Sequence, residues 1–175
     1  MRLLLLGCSG LVGRELVPFL LALGHQLTLV SRRPQPFPPR GDGQLSQLQL
    51  DPADSASWQQ PELRTALTRA EGVVNLAGEP IAEKRWTPAH RQLLLDSRVQ
   101  TTRWLVEAMA SLAQPPQVLV TGSAVGFYGT SLDASFTEDA AAGSDLLAEI
   151  CRGWEAAADR APAPCRVVKL RIGIV

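Results

Sequence analysis

Arg2 is followed by four leucines, and the chain then turns through Gly7-Cys8-Ser9-Gly10-Leu11-Val12-Gly13. An all-apolar run of this length suits a strand buried on both faces. Residues 11–23 place Leu11, Val12, Leu16, Phe19, Leu20 and Leu23 at helical spacing, and Gly24 predicts where that helix stops. A buried strand, a glycine turn and an amphipathic helix therefore occupy the first 24 residues. Glycine at 7, 10 and 13 lets the backbone take positive φ and approach a neighbour closely. The helix that starts there offers unpaired N–H groups and the positive end of its dipole, which together form an anion cradle. A tight turn that binds nothing would show the same three glycines.

The remaining pattern repeats the strand–helix alternation. Strands are expected over 26–30, around Leu45, Leu48 and Leu50, and over 72–77, 117–121 and 167–175. Helical segments are expected over 53–70 (split at Pro61), 87–113 and 143–160, with Thr87 as N-cap and Pro88 at the first helical position. The Pro-rich stretch at 34–39 reads as a connector. Such alternation predicts right-handed βαβ units and an α/β fold: a doubly wound parallel sheet of six strands, covered on both faces.

Composition narrows the function. The 175 residues carry 17 basic and 17 acidic side chains, so the net charge is zero and no general nucleic-acid footprint exists. Cys8, Cys151 and Cys165 are too few and too scattered for a disulfide framework or a metal cluster, and read as reduced thiols in a cytoplasmic protein. Leu5-Leu6-Gly7-Cys8 resembles a lipoprotein cleavage box, but only Leu3 to Leu6 precede it, short of an apolar region of about 7–15 residues. No run approaches the roughly 20 apolar residues of a membrane span. The expected partner is a small molecule, with no nucleic acid and no membrane.

The end of the second strand discriminates between dinucleotides. An NAD site places Asp or Glu about 20 residues past the glycine turn, to hold the ribose 2′-hydroxyl. Here that position reads Val30-Ser31-Arg32-Arg33, with no carboxylate. Ser31 can hydrogen-bond a phosphate, and Arg32 can grip one through two parallel N–H donors. This predicts NADP, unless Arg32 and Arg33 are simply a solvated loop. Asp51, after the third strand, either meets the adenine or caps the segment that begins at Pro52.

Three groups of residues now stand in order at strand ends: Gly7-x-x-Gly10-x-x-Gly13, Asn75-Leu76-Ala77-Gly78 and Thr121-Gly122-Ser123-Ala124. They resemble the short-chain dehydrogenase/reductase superfamily, in its extended NAD-dependent epimerase/dehydratase form. The segments Asn-Leu-Ala-Gly-Glu-Pro-Ile at 75–81, Arg85-Trp86-Thr87, Ser97-Arg98-Val99-x-Thr-Thr, Ser123 to Gly129 and Cys151-x-x-Trp154-Glu155 resemble its atypical branch, the "epimerase family" proteins similar to nucleoside-diphosphate-sugar epimerases. The resemblance implies a Rossmann-type cofactor domain over 1–175 and a NADP site drawing on Gly7, Cys8, Ser9, Gly10, Leu11, Val12, Gly13, Ser31, Arg32, Arg33, Asp51, Leu76, Ala77, Gly78 and Ser97. Members of that branch are close to twice this long. This chain is thus expected to be an N-terminal part that lacks the substrate lobe.

The resemblance also implies a catalytic serine, at Ser123, and a Tyr-x-x-x-Lys pair. The pair is absent: Tyr128 is the only tyrosine, residue 132 is leucine, and the only lysines are Lys84 and Lys169. Tyr128 is either an alternative proton donor or a packing residue beneath the nicotinamide. Lys84 and Arg85 either face an anionic substrate or form an ordinary charged loop, and His90 reads as a surface residue. Two functions follow. One is an NADP-dependent oxidoreductase or isomerase acting on a nucleotide-sugar-like or small carbonyl substrate. The other is a non-catalytic NADP-binding sensor.

Overall fold

The computed structural model describes residues 1–34, 37 and 43–173. Six parallel strands form one sheet: β1 (Arg2–Leu6), β2 (Gln26–Ser31), β3 (Leu45–Gln49), β4 (Gly72–Asn75), β5 (Val118–Ala124) and β6 (Arg166–Ile172). Their spatial order is β3-β2-β1-β4-β5-β6. The chain builds outward from β1 to β3, then returns to the other side of β1 with β4. The order of the strands across the sheet thus reverses between β1 and β4, where doubly wound sheets open a crevice beyond the carboxyl ends of their strands. Register fixes what stands at that crevice, because Leu6 lies opposite both Val30 and Asn75.

The four leucines of the first strand divide between the two faces. Leu4 and Leu6 join Val73 and Leu119 under α2 (Pro61–Arg69), α3 (Pro88–Ala110) and α4 (Leu146–Ala158), packing with Leu63, Leu67, Leu105, Met109 and Trp58. Leu5 joins Leu27 and Leu29 beneath α1 (Leu11–Ala22), against Val17 and Leu21. Alternation on a strand buried from both sides accounts for the uninterrupted apolar run.

The structure corrects several boundaries and faces. In α1 the buried residues are Gly13, Val17 and Leu21, while Leu11, Phe19 and Leu23 of the expected apolar stripe are 63%, 60% and 59% exposed. Leu16 and Leu20 flank the core. Almost every position of this helix is apolar, so periodicity alone does not fix the inward face. Gly24 does end it, at φ +80°. Residues 55–59 form a 3₁₀ turn capped by Asp54 rather than the start of an α-helix. β5 runs on to Ala124, so Gly122 to Ala124 are strand residues and not loop. His90 is buried, not on the surface, although Thr87 caps its helix through the His90 N–H as expected. No helix among the described residues is long and apolar enough to cross a membrane.

The first crossover leaves no slack. An added Cβ on Gly13 would stand 2.3 Å from the Cys8 Cα, whereas one on Gly10 would meet nothing within 4 Å. Gly13→Ala is therefore expected to destabilise the fold by about 2 kcal/mol in urea denaturation, despite the helix propensity gained. Gly10→Ala should change stability by less than about 1 kcal/mol.

Candidate functional site

At the carboxyl ends of β1, β2 and β4 lies a cleft of about 820 Å³. That volume is within the range of ligand sites. Gly7, Ser9, Gly10, Leu11 and Arg14 form its floor. Gly7 adopts φ +76°, and a Cβ there would sit 2.4 Å from the Ala77 nitrogen, so only glycine lets β1 turn this close to the end of β4. Gly10 is the N-cap of α1 in an extended conformation; no side chain caps the helix and no acidic residue stands in its first turn. The positive end of the helix dipole and its leading amides therefore face the cleft with no carboxylate in the helix's own first turn. Arg14 Nε donates to the Ser9 carbonyl at 3.2 Å, which holds a guanidinium beside the turn.

The β4 wall is pinned from beneath. Asn75 is fully buried; its Nδ2 donates to Thr102 Oγ1 at 2.9 Å and its Oδ1 accepts from the Ala77 N–H at 3.2 Å. Leu76 N–H continues the ladder to the Leu6 carbonyl. Leu76, Ala77 and Gly78 thus line the cleft in fixed positions, and Ser97 lines it from α3. Ser97 Oγ accepts the Glu79 N–H at 3.0 Å, while Arg98 Nη2 donates to the Glu79 carbonyl at 2.9 Å and Nη1 to the Leu94 carbonyl at 3.1 Å. Arg98 is buried, lies over the Trp154 ring at 5.4 Å and rests against Gly78.

At the β2 end, Ser31, Arg32 and Asp51 line the cleft. Ser31 Oγ donates to the Arg33 carbonyl, which tightens this turn. Asp51 Oδ1 accepts from the Ala53 N–H at 3.0 Å, closing a local turn, while the following 3₁₀ segment is capped by Asp54. Cys8, Val12, Gly13 and Arg33 do not line the cleft. Cys8 is buried in the core beneath α1, and burial pushes its thiol up to about 12, which makes it a small filler rather than a nucleophile.

The expected catalytic pair stands apart from this cleft. Ser123 is buried on β5, and its hydroxyl donates to Glu155 Oε1 at 2.6 Å. Glu155, on α4, is gripped bidentately by Arg171 of β6, at 2.8 and 2.9 Å. Arg171 Nη1 also donates to the Tyr128 hydroxyl at 2.8 Å, and its guanidinium lies 3.6 Å from the Phe127 ring centroid. Tyr128 in turn stacks on Phe136. Burial would push the Glu155 carboxyl up, but the Arg171 and Ser123 hydrogen bonds outweigh it and hold the carboxyl below its ordinary value. Glu155 is therefore an anion at neutral pH, and the Ser123 proton is committed to it. Glu149 and Arg152, on the same helix as Glu155, are exposed. Lys84 pairs with Glu79 at 3.1 Å within its own loop.

Sequence reasoning missed Arg14, Glu79, Arg98, Glu155 and Arg171 as parts of these two centres. Arg98 and Glu155 lie inside the segments that carry the family resemblance. Glu79 lies inside one of those segments too, but its pairing with Arg32, like that of Arg171 with Glu155, carries no local signal because the partners are distant in sequence. Among the described residues, no group of three or more His, Cys, Asp or Glu side chains could hold a metal ion.

Comparison with known proteins bears on this geometry. Residues 3–147 match the family described as NAD dependent epimerase/dehydratase. The chain is 36% identical over 179 residues to the Epimerase family protein SDR39U1 of Bos taurus, covering 100% of this chain and 54% of that protein. A crystal structure of human epimerase family protein SDR39U1 with NADPH superposes with a TM-score of 0.78 at 34% identity, covering 98% of this chain and 53% of that one. The nucleoside-diphosphate sugar epimerase of Corynebacterium glutamicum gives 0.73 at 32% identity, covering 97% and 33%. The chain spans about half the length of the curated relatives it matches.

The Glu155–Arg171 pair makes a stability prediction. Because the folded carboxyl titrates below its ordinary value of 4.5, its contribution is complete above that pH and is lost as pH falls through the lowered folded value. Glu155→Gln, which leaves a largely buried guanidinium without its counter-charge, should cost about 3 kcal/mol at pH 7. The gap from wild type should shrink as pH falls below about 4.5, as measured by urea denaturation at several pH values.

Proposed function

This chain belongs to the NAD dependent epimerase/dehydratase family, and we propose that it is the NADP-binding part of an epimerase- or dehydratase-like oxidoreductase or isomerase. The observation that carries this reading is the division of labour among three glycines. Gly7 and Gly13 are closed against backbone, while Gly10 opens onto the cleft at an uncapped helix N-terminus. A dinucleotide pyrophosphate fits that cradle, since it needs close backbone approach, amide donors and the positive dipole end. Such a cofactor, when bound, supplies a hydride at its nicotinamide. The residues of this chain bind and orient it. Gly10 and Leu11 present amides to the pyrophosphate, Arg32 and Ser31 meet the 2′-phosphate, Asp51 borders the adenosine, and Ala77, Gly78 and Ser97 bound the opposite side. The NADPH named for the human relative supports the phosphorylated form. The name of the Corynebacterium relative supports a nucleotide-sugar-like substrate, with a small carbonyl compound as the simpler possibility.

A second reading, a non-catalytic NADP-binding sensor, is favoured by one observation. Ser123 donates its only proton to an ionised Glu155, so it has none to offer a substrate oxygen while that bond stands. Turnover requires Ser123 to exchange this partner for substrate, with Tyr128 as the remaining hydroxyl donor of the network.

Calorimetric titration should show NADPH binding more tightly than NADH, and Arg32→Ala should weaken NADPH by about tenfold or more while sparing NADH. Equal wild-type affinities for the two would contradict the NADP reading. On the catalytic reading, Ser123→Ala lowers kcat by about 10²-fold with NADPH affinity unchanged. A wild-type protein that binds NADPH yet transfers no hydride to any sugar nucleotide or aldehyde tested would support the sensor.

A further inference from the structure

The β2 end lacks a carboxylate in sequence, yet folding delivers one. Glu79, from the segment between β4 and α3, places Oε2 4.0 Å from Arg32 Nη2. Its other oxygen accepts from Lys84 Nζ at 3.1 Å. Both flanks of the Glu79 main chain are tied, the N–H to Ser97 Oγ and the carbonyl to Arg98. The Glu79 side chain is 13% exposed, against 67% for Arg32. Of this ion pair, Glu79 is the anchored member and Arg32 the one free to swing.

Any anion that Arg32 grips therefore arrives beside a fixed carboxylate. The Lys84 hydrogen bond holds the Glu79 carboxyl below the usual range, so it is charged at neutral pH. A 2′-phosphate must draw Arg32 away from Glu79 and tolerate the field of a like charge. A ribose 2′-hydroxyl meets no such penalty and can donate to the same carboxylate. Lys84 offsets part of the negative charge and keeps one carboxylate oxygen occupied.

We propose that Glu79 is a specificity-determining residue for the dinucleotide, competing with the 2′-phosphate for Arg32 and so narrowing the preference for NADP(H) over NAD(H). This rests on the proposal that Arg32 receives the 2′-phosphate. It places part of cofactor choice on the β4–α3 segment rather than on the β2 end alone.

The test is calorimetric titration of the purified protein with NADPH and with NADH, for wild type, Glu79→Gln, Lys84→Met and Arg32→Ala. Glu79→Gln should tighten NADPH about three- to fivefold, the scale of a partly exposed ion pair, and leave NADH unchanged or weaker. Lys84→Met, which leaves Glu79 uncompensated, should move the NADPH/NADH affinity ratio the opposite way by a similar factor. Glu79→Gln that leaves the ratio unchanged, or weakens NADPH, overturns the proposal. If Arg32→Ala abolishes the preference while neither Glu79→Gln nor Lys84→Met shifts it, Arg32 keeps its role and only the part given to Glu79 fails. If Arg32→Ala leaves the preference intact, or neither dinucleotide binds, both fail.

Discussion

Gly7 turns the chain so closely against the end of β4 that a methyl group would overlap the Ala77 nitrogen and the Leu76 carbonyl carbon, each 2.4 Å from where it would lie. This close approach sets the distance between the first strand and the fourth, and with it the mouth of the cleft. Gly13 repeats the constraint one turn later, seating α1 against Cys8. With both ends of the turn fixed by backbone contact, the intervening Gly10 is left at the open end of a helix, with nothing opposite it. The sheet topology then places this opening where the order of the strands across the sheet reverses.

Two polar centres grow from that frame, and they differ in kind. Around the cleft, the cations are exposed and exchangeable: Arg14 and Arg32 face the space, and Lys84 stands at its edge against the anchored Glu79. Between β5, α4 and β6, charge is sequestered. Glu155 is 4% exposed, and its two oxygens are saturated by Ser123 and Arg171. Such a network ties a helix to two strands, and removing one member strands a charge in low dielectric. It also raises the energetic threshold for using Ser123 in chemistry, because its hydroxyl must first leave a strong charge-assisted acceptor.

The strand–helix alternation was legible because burial on both faces leaves uninterrupted apolar runs, and because Gly24, Pro61 and Thr87-Pro88 punctuate the chain locally. The glycine turn was legible for the same reason: its meaning depends only on the strand before it and the helix after it. What escaped was set by distant partners. The apolar residues of α1 surround the helix, so the choice of Val17 and Leu21 over Phe19 and Leu23 follows from its docking on β1 and β2. Ser123 reads as loop because Gly122 before it is a poor strand former and Ser123 carries no strand preference of its own, yet pairing with β6 holds it in the sheet. The absence of a carboxylate near Arg32 was true of the local sequence and untrue in space, since Glu79 arrives from another crossover 47 residues on.

The most direct test of the account is a crystal structure of the protein grown with NADPH. The account predicts pyrophosphate density against the Gly10 and Leu11 amides and a 2′-phosphate within hydrogen-bonding distance of the Arg32 guanidinium. Density for the dinucleotide elsewhere, or a glycine turn left empty at saturating NADPH, would contradict it.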